Sequence, residues 1–328
     1  MKLSVVIPVC NEEAVIGTTH GTVFGLLSRM VQAGTVDAYE IVYVDDGSKD
    51  GTLGILRGLA EASKTVKVLS FSRNYGHQPA LAAGILHAAG DAVVSLDADL
   101  QDPPELITEM LVKFKEGNDI VYAVRRARNT DTFFKKWTAR FFYKLMRFMG
   151  VDIIYDHADY RLISRKVIEE FRRFSEVNIF LRGIFPSMGF RYAIVFFDRR
   201  ARFAGETKYP LRKMLSFAWE GITSFSRKPL RIASATGFGI SLVSVMLVGW
   251  VFSAWVVGDA IPGWASTLIP LLLIGGLNIF FLGLIGEYIG KIYMEVKRRP
   301  LFIVSERYNF GEEAGTTLDV DEGEHKGP

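Results

Sequence analysis

Two stretches near the carboxyl terminus, Ile232–Val257 and Thr267–Ile292, are almost wholly apolar over 26 residues each. As helices, each would reach about 39 Å at ~1.5 Å per residue, against a hydrocarbon core of about 30 Å. A core helix of a soluble protein seldom runs that long with so little charge, so a transmembrane hairpin over 232–293 is expected. The connector Gly258–Trp264 carries no Lys or Arg, whereas Arg227, Lys228 and Arg231 flank the first stretch and Lys291, Lys297, Arg298 and Arg299 the second. By the positive-inside rule both flanks face the cytoplasm and the short loop faces out. The expected location is the cell inner (plasma) membrane, multi-pass, with the soluble bulk and both termini in the cytoplasm. Glu287, the one acid in the second stretch, lies one helical turn before Lys291. The two can snorkel to the interface together; a role near a lipid headgroup is the alternative. Gly286 and Gly290 have the small-xxx-small spacing of close helix packing, within the hairpin or between subunits, so a monomer and a homo-oligomer are both permitted.

The part before the hairpin alternates short apolar runs with amphipathic stretches. Strands are predicted at Leu3–Val9, Glu40–Val44, Val66–Ser70, Ala92–Leu96 and Asp119–Val124, and helices at Glu13–Ala33, Gly51–Ser63, Gln78–Ala89 and Pro104–Glu116. Continuous apolar strands alternating with helices imply a mostly parallel sheet covered on both faces. Ligands of such sheets bind at the carboxyl ends of the strands. The polar clusters fall there: Asn11-Glu12, Asp45-Asp46-Gly47-Ser48, Arg73-Asn74-Tyr75-Gly76 and Asp97-Ala98-Asp99 follow the first four strands in turn. Four such clusters on one sheet edge are the main argument for a site.

In the fourth cluster, Ser95–Glu105, an apolar strand delivers two carboxylates two residues apart and stops at Pro103-Pro104. Paired acids there repel each other and desolvate badly unless a cation lies between them. Such oxygen ligands suit Mg²⁺ or Mn²⁺, which commonly bind through carboxylates together with substrate phosphates. Alone, the stretch reads equally well as a turn whose acids face water. Neither G-x-G-x-x-G between a strand and a helix nor G-x-x-x-x-G-K-[ST] is present, which disfavours a dinucleotide-redox or P-loop fold.

The formal net charge of +3 gives no argument for nucleic acid. A single cysteine, Cys10, excludes an intrachain disulfide framework and fits a reducing compartment. The histidines are too scattered for a zinc site, and the short run Leu3–Cys10 reads as a buried strand rather than a signal peptide. Phe133–Met149 is aromatic and basic with helical patterning, suited to a membrane surface or to packing on the domain. Leu211–Ser226 is a second amphipathic candidate, expected along the interface, and the acidic, Gly-rich end from Gly311 is expected to be disordered.

Together the motifs resemble the membrane-anchored polyprenyl-phosphate glycosyltransferases of glycosyltransferase family 2. The resemblance spans Leu3 to about Phe310. It rests on Val5–Glu12, Val44–Ser48, Arg73–Gln78, Asp97–Glu105, Asp159-Tyr-Arg-Leu162, Arg202–Tyr209, Ser224–Arg231 and Gly286–Gly290. It implies an α/β GT-A catalytic domain (Rossmann-like, mostly parallel sheet) over 1–210. An amphipathic juxtamembrane helix over 211–231, the hairpin over 232–293 and a cytoplasmic tail over 294–328 would follow. The implied reaction is inverting transfer of one sugar, glucose from UDP-glucose being favoured, to polyprenyl (undecaprenyl) phosphate. Mannosyl transfer from GDP-mannose is the alternative. A processive synthase fits less well, because two spans and no Gln-x-x-Arg-Trp motif are found, and a non-enzymatic scaffold would not need Asp97, Asp99 and Asp159 together.

By the same resemblance, Pro8, Cys10, Glu12 and Asp45 line the nucleotide pocket, with Asp46, Asp97 and Ala98 beside them. Asp97, Asp99 and Gln101 would hold the divalent metal on the diphosphate. Arg125, Arg202 and Lys208 are the candidates for capturing the acceptor phosphate, since arginine binds phosphate in a bidentate manner and keeps its charge. Asp159 matches an acid near the reacting centre. It could serve as base, position hydroxyls, or form an ion pair with Arg161 or Arg165. For His77, a loop-stabilising hydrogen bond is expected ahead of catalysis.

Overall fold

A computed structural model describes residues 1–126, 157–174, 176, 179–198, 223, 226, 228–257 and 264–311. The chain divides into two compact units: Met1–Trp137 with Ile153–Lys208 and Arg299–Pro328, and Thr138–Asp152 with Tyr209–Arg298. Several expectations lie outside the described residues: the segment Phe133–Met149, most of Leu211–Ser226, Arg202, Lys208, Arg227, and the end beyond Gly311.

The first unit is built on an eight-stranded sheet whose strands, among the described residues, are β1 (Lys2–Val9), β2 (Ala38–Asp45), β3 (Val66–Phe71), β4 (Ala92–Ser95), β5 (Ile120–Arg125), β6 (His157–Ser164), β7 (Tyr192–Phe197) and β8 (Val304–Tyr308). Their spatial order is β7-β5-β6-β4-β1-β2-β3-β8. Strands β3-β2-β1-β4 are parallel, as are β5 and β7, while β6 runs antiparallel to both β4 and β5, and β8 antiparallel to β3. All of the first five strands point their carboxyl ends the same way. The central ones read as unbroken apolar runs because both faces are covered: seven of the eight residues of β1 are buried.

Helices α1 (Ile16–Gln32), α2 (Thr52–Ala62), α3 (His77–His87) and α4 (Leu106–Lys115) follow the first four strands. In α1 the buried set Ile16, Thr19, Val23, Leu26, Leu27 and Met30 repeats at three- and four-residue steps, the stripe a sheet-packing helix needs. Helix α3 packs closer, and Gly84 makes that possible. A Cβ there would fall 2.2 Å from Val6 Cγ1 and 3.0 Å from Val44 Cγ2. Two further helices, α5 (Arg165–Phe171) and α6 (Leu181–Ser187), follow β6.

Residues of the expected tail also belong to the sheet. Strand β8 pairs with β3, Phe302 stacks on Phe71 with centroids 5.0 Å apart, and Arg57 Nη2 donates to both carboxylate oxygens of Glu306 at 2.7 Å. Asn309 takes a left-handed backbone (φ 60°), and its Nδ2 donates to the carbonyls of Ala60, Ser63 and Val66 at 2.6, 3.2 and 2.8 Å. It thereby serves the carbonyls at the end of α2 and the start of β3.

The second unit contains α7 (Lys228–Val257, 30 residues) and α8 (Trp264–Val296, 33 residues), which include both apolar stretches in full. Many side chains of α7 and of the first half of α8 are not among the described ones. Among the described residues, no helix is long and apolar enough to cross a membrane. At the carboxyl half of α8, Tyr288 Oη donates to the Ser226 carbonyl (2.7 Å) and Lys291 Nζ to Thr223 Oγ1 (2.5 Å).

Candidate active site

The carboxyl ends of β1 to β3 carry the first group of expected residues. Register puts Val9 beside Asp45 and Asp45 beside Ser70. Asp45 is buried, its Oδ1 accepting from Ser48 N (3.2 Å) and its Oδ2 from Ser70 Oγ (3.0 Å). Asp46, also buried, accepts from the backbone N–H groups of Tyr75 (2.6 Å) and Gly76 (2.9 Å). These two acids therefore fix the loops after β2 and β3 through contacts within the protein. Gly47 (φ 64°) lets that loop press on its neighbour, since a Cβ would lie 2.5 Å from the Arg73 carbonyl carbon. Asn11 (φ 55°) closes the other side, its N–H donating to Ser48 Oγ (2.9 Å) and its Oδ1 accepting from Lys49 N (2.8 Å).

Pro8 is buried within β1, and Ala98 is buried with its carbonyl accepting from Thr19 Oγ1 (2.6 Å). Glu12 is half-buried, its N–H donating to Thr52 Oγ1 (2.9 Å). Cys10 Sγ accepts from Asn74 Nδ2 at 3.1 Å, and burial pushes its thiol pKa up. Arg73 lies over the Tyr75 ring, 4.1 Å from the centroid.

The second group gathers where β4 meets β6. Ser95 pairs with Arg161, so Asp159 lies across from the chain as it leaves β4 toward Asp97, and Ser95 Oγ donates to the Asp159 carbonyl (2.6 Å). His77, at the start of α3, spans the two acids: its Nε2 is 3.7 Å from Asp97 and 3.5 Å from Asp159. Gln78 Nε2 donates to Asp159 Oδ2 (3.3 Å) while its Oε1 accepts from Leu181 N (3.1 Å). Asp159 also receives Arg161 Nη2 (2.5 Å), Arg182 Nε (3.1 Å) and Arg182 Nη2 (2.9 Å). Of the alternatives open for Asp159, the ion pair with Arg161 is present. Arg165 instead donates to the carbonyls of Ala88 and Gly90. Arg125, expected to capture phosphate, has its Nη2 3.5 Å from Asp102 Oδ1.

The two facing acids are driven in opposite directions. Burial alone would raise the Asp159 carboxyl, yet Arg182, His77 and Arg161 hold it well below the usual carboxylate range. Burial pushes Asp97 up, with the charges of Asp159 and Asp99 on its side, against the pull of His77 and Arg125. Arg182 was not legible as a site residue. Its one signal is that it is the lone charge in the apolar run Ile179–Phe185.

Among the described residues no three His, Cys, Asp or Glu side chains form a ready metal cage. The donor set at the end of β4 nevertheless fits a hard divalent cation. Asp99 Oδ1 accepts from Gln101 N (3.1 Å), Asp97 is pushed up by burial and then by Asp159 and Asp99, and Gln101 Oε1 is buried without a hydrogen-bond partner among the described residues. Two carboxylates and an amide carbonyl are oxygen ligands of the kind Mg²⁺ and Mn²⁺ take.

Comparison with known proteins agrees with this layout. The family described as Glycosyl transferase family 2 matches residues 4–172, and the GtrB C-terminal hairpin matches residues 228–292. An uncharacterized glycosyltransferase, YkcC, of Bacillus subtilis (strain 168) is 46% identical over 310 residues, covering 94% of each chain. The SfII prophage-derived bactoprenol glucosyl transferase of Shigella flexneri is 40% identical over 310 residues, covering 94% of this chain and 99% of that one. The bactoprenol glucosyl transferase of Shigella phage SfV is 40% identical over 306 residues, covering 93% and 98%. With an eight-stranded GT-A-like sheet and acids converging at its carboxyl edge, the chain belongs to glycosyl transferase family 2 and is a glycosyltransferase.

Proposed function

We propose that the protein transfers one glucose from UDP-glucose to polyprenyl (undecaprenyl) phosphate at the cytoplasmic face of the inner membrane, with inversion at the anomeric carbon. The observation that carries this reading is the meeting of Asp97, Asp159 and His77 at the carboxyl end of β4, in a chain similar over 94% of its length to a relative named bactoprenol glucosyl transferase. Residues 1–210 would be the cytoplasmic catalytic part, 211–231 a juxtamembrane helix and 232–293 a membrane hairpin. Apolar side chains exposed along α7 and α8, among them Phe238, Val245, Ile279 and Phe280, support contact with lipid.

The loops after β1 to β3, fixed by Asn11, Asp45 and Asp46, would seat the nucleotide. Asp97, Asp99 and Gln101 would hold Mg²⁺ or Mn²⁺, which when bound offsets the charge building on the departing nucleoside diphosphate. A phosphate acceptor is already anionic near neutral pH, so its oxygen needs capture and orientation more than deprotonation. In an inverting displacement that oxygen must approach the sugar from the side opposite the diphosphate. Arg202 and Lys208 are proposed to help hold it.

The test is synthesis of lipid-linked sugar by the full-length protein in detergent, from undecaprenyl phosphate, Mg²⁺ and labelled UDP-glucose. GDP-mannose, UDP-galactose and UDP-N-acetylglucosamine run in parallel. Product from UDP-glucose alone is expected. Product from GDP-mannose alone would replace the donor, and no product from any of them would refute the reading.

A further inference from the structure

We propose that His77 is a positioning residue for the divalent cation, its imidazole orienting the Asp97 carboxylate that binds the metal. This inference rests on the glycosyl-transfer reading above and deepens it by one residue behind the metal ligands. His77 Nε2 stands 3.7 Å from Asp97 Oδ1 and 3.5 Å from Asp159 Oδ2, so one edge of the ring faces both acids. A hydrogen bond that merely stabilised a loop would return to the segment that carries His77. These contacts instead reach the chain leaving β4 and strand β6.

The ring is held at its root from both sides. Before it, buried Asp46 accepts from the N–H groups of Tyr75 (2.6 Å) and Gly76 (2.9 Å), and Gly76 takes φ 104°, a backbone that residues with a Cβ rarely adopt. After it, the Gln78 side chain donates to Asp159 Oδ2 (3.3 Å) and accepts from Leu181 N (3.1 Å). His77 itself opens α3, which Gly84 lets pack closely against Val6 and Val44. The two acids differ in how they are held. Asp159 also receives Arg161 and Arg182, whereas Asp97 has His77 as its one ion-pair contact among the described residues. Carboxylates that ligate a cation are themselves oriented by an outer partner, and losing that partner costs ~10- to 100-fold in metal affinity. An imidazole fixed by its neighbours and facing Asp97 meets that description.

The experiment compares wild type, His77→Ala, His77→Gln and His77→Asn as full-length protein in detergent. Mn²⁺ is titrated in the presence of UDP, with GDP in parallel, and the free ion is read by electron paramagnetic resonance. Binding of UDP in EDTA is measured by calorimetry. The glutamine amide can reach the place of the imidazole Nε2, and the shorter asparagine amide cannot. His77→Ala and His77→Asn should raise the Mn²⁺ Kd by ~10- to 100-fold, His77→Gln should recover most of that loss, and metal-free UDP binding should stay within about twofold of wild type. A rise below ~5-fold, a glutamine variant as impaired as the asparagine variant, or an equal loss of metal-free UDP binding would overturn the proposal, the last because it marks a loop that has lost its shape. If the alanine variant does not fold, the glutamine and asparagine variants decide by the same differences. Wild-type synthesis of lipid-linked glucose tests the glycosyl-transfer reading separately. Wild type that makes product but binds Mn²⁺ with neither nucleotide overturns the role of His77 and leaves that reading standing; wild type that does neither overturns both.

Discussion

Replacing Glu40 with Gln should remove a pH-dependent part of the stability. Glu40 sits on β2 with its side chain 2% exposed. Its Oε1 accepts from Ser4 Oγ (2.7 Å) and Ala89 N (2.6 Å), and its Oε2 pairs with Lys2 Nζ (2.6 Å) and Lys67 Nζ (3.1 Å). One carboxylate thus ties β1, β2, β3 and the loop before β4. Burial pushes its pKa up, but Lys2, Ala89, Ser4 and Lys67 prevail and lower it from 4.5 to about 2. A folded-state pKa below the unfolded one stabilises the protein above the unfolded pKa, and the gain is lost as pH falls through the folded value. The shift corresponds to about 3 kcal/mol at pH 7, of which about 1.4 kcal/mol remains at pH 3. Urea unfolding of wild type and Glu40→Gln at pH 7, 5 and 3 measures the difference directly, since other carboxylates titrate alike in both. The gap should stay nearly constant from pH 7 to 5 and roughly halve by pH 3. A gap that does not narrow, or one under ~1 kcal/mol at pH 7, would show that the two lysines do not hold Glu40 ionised.

Asp99→Ala should cut turnover by at least ~100-fold by removing an oxygen ligand, and normal activity across a Mg²⁺ titration would refute the metal assignment. Gly84→Ala should lower stability by ~1–3 kcal/mol, because its Cβ would fall 2.2 Å from Val6 Cγ1; an unchanged melting temperature would mean that α3 shifts freely. Asn309→Ala should destabilise by ~1–3 kcal/mol, as one amide serves three carbonyls; a loss below ~0.5 kcal/mol in urea unfolding would show that water replaces it.

The first five strands are legible to within two residues because their apolar runs are unbroken and separated by amphipathic helices. The reading loses the sheet after β5, for physical reasons. Strand β6 carries Asp159 and Arg161, which neutralise each other once buried, so it shows no apolar run. Strand β7 is six residues of largely apolar chain, too short for periodicity to separate from a helical turn. Strand β8, Val304-Ser-Glu-Arg-Tyr308, is polar, and only the open edge of β3 makes it a strand. The site divides along the same line. Asp97 and Asp99 are legible from their spacing at a predicted strand end, whereas Asp159 enters only through the family resemblance. Arg182 reaches Asp159 from helix α6, a meeting decided by packing.

Strand β8 also bears on how the carboxyl end of β3 is held. The chain leaves the sheet-bearing unit at Lys208 and re-enters it at Arg299, so the last strand of the sheet comes from beyond the apolar hairpin. An edge strand left bare presents unpaired N–H and C=O groups to other chains. Here β8 covers β3, with Ser305 Oγ donating to the Ser70 carbonyl (2.9 Å) and Ser72 N to the Ile303 carbonyl (3.0 Å). Ser70 in turn donates its hydroxyl to buried Asp45, and Phe71, between Phe302 and Tyr75, precedes the loop that Asp46 holds. The carboxyl end of β3 is therefore clamped on one side by residues 303–305 and on the other by the two acids of the Asp45–Ser48 turn. A chain cut before Val304 would keep Asp45, Asp46, Asp97 and Asp159 and lose the strand that covers β3, on which the loop held by Asp46 is anchored.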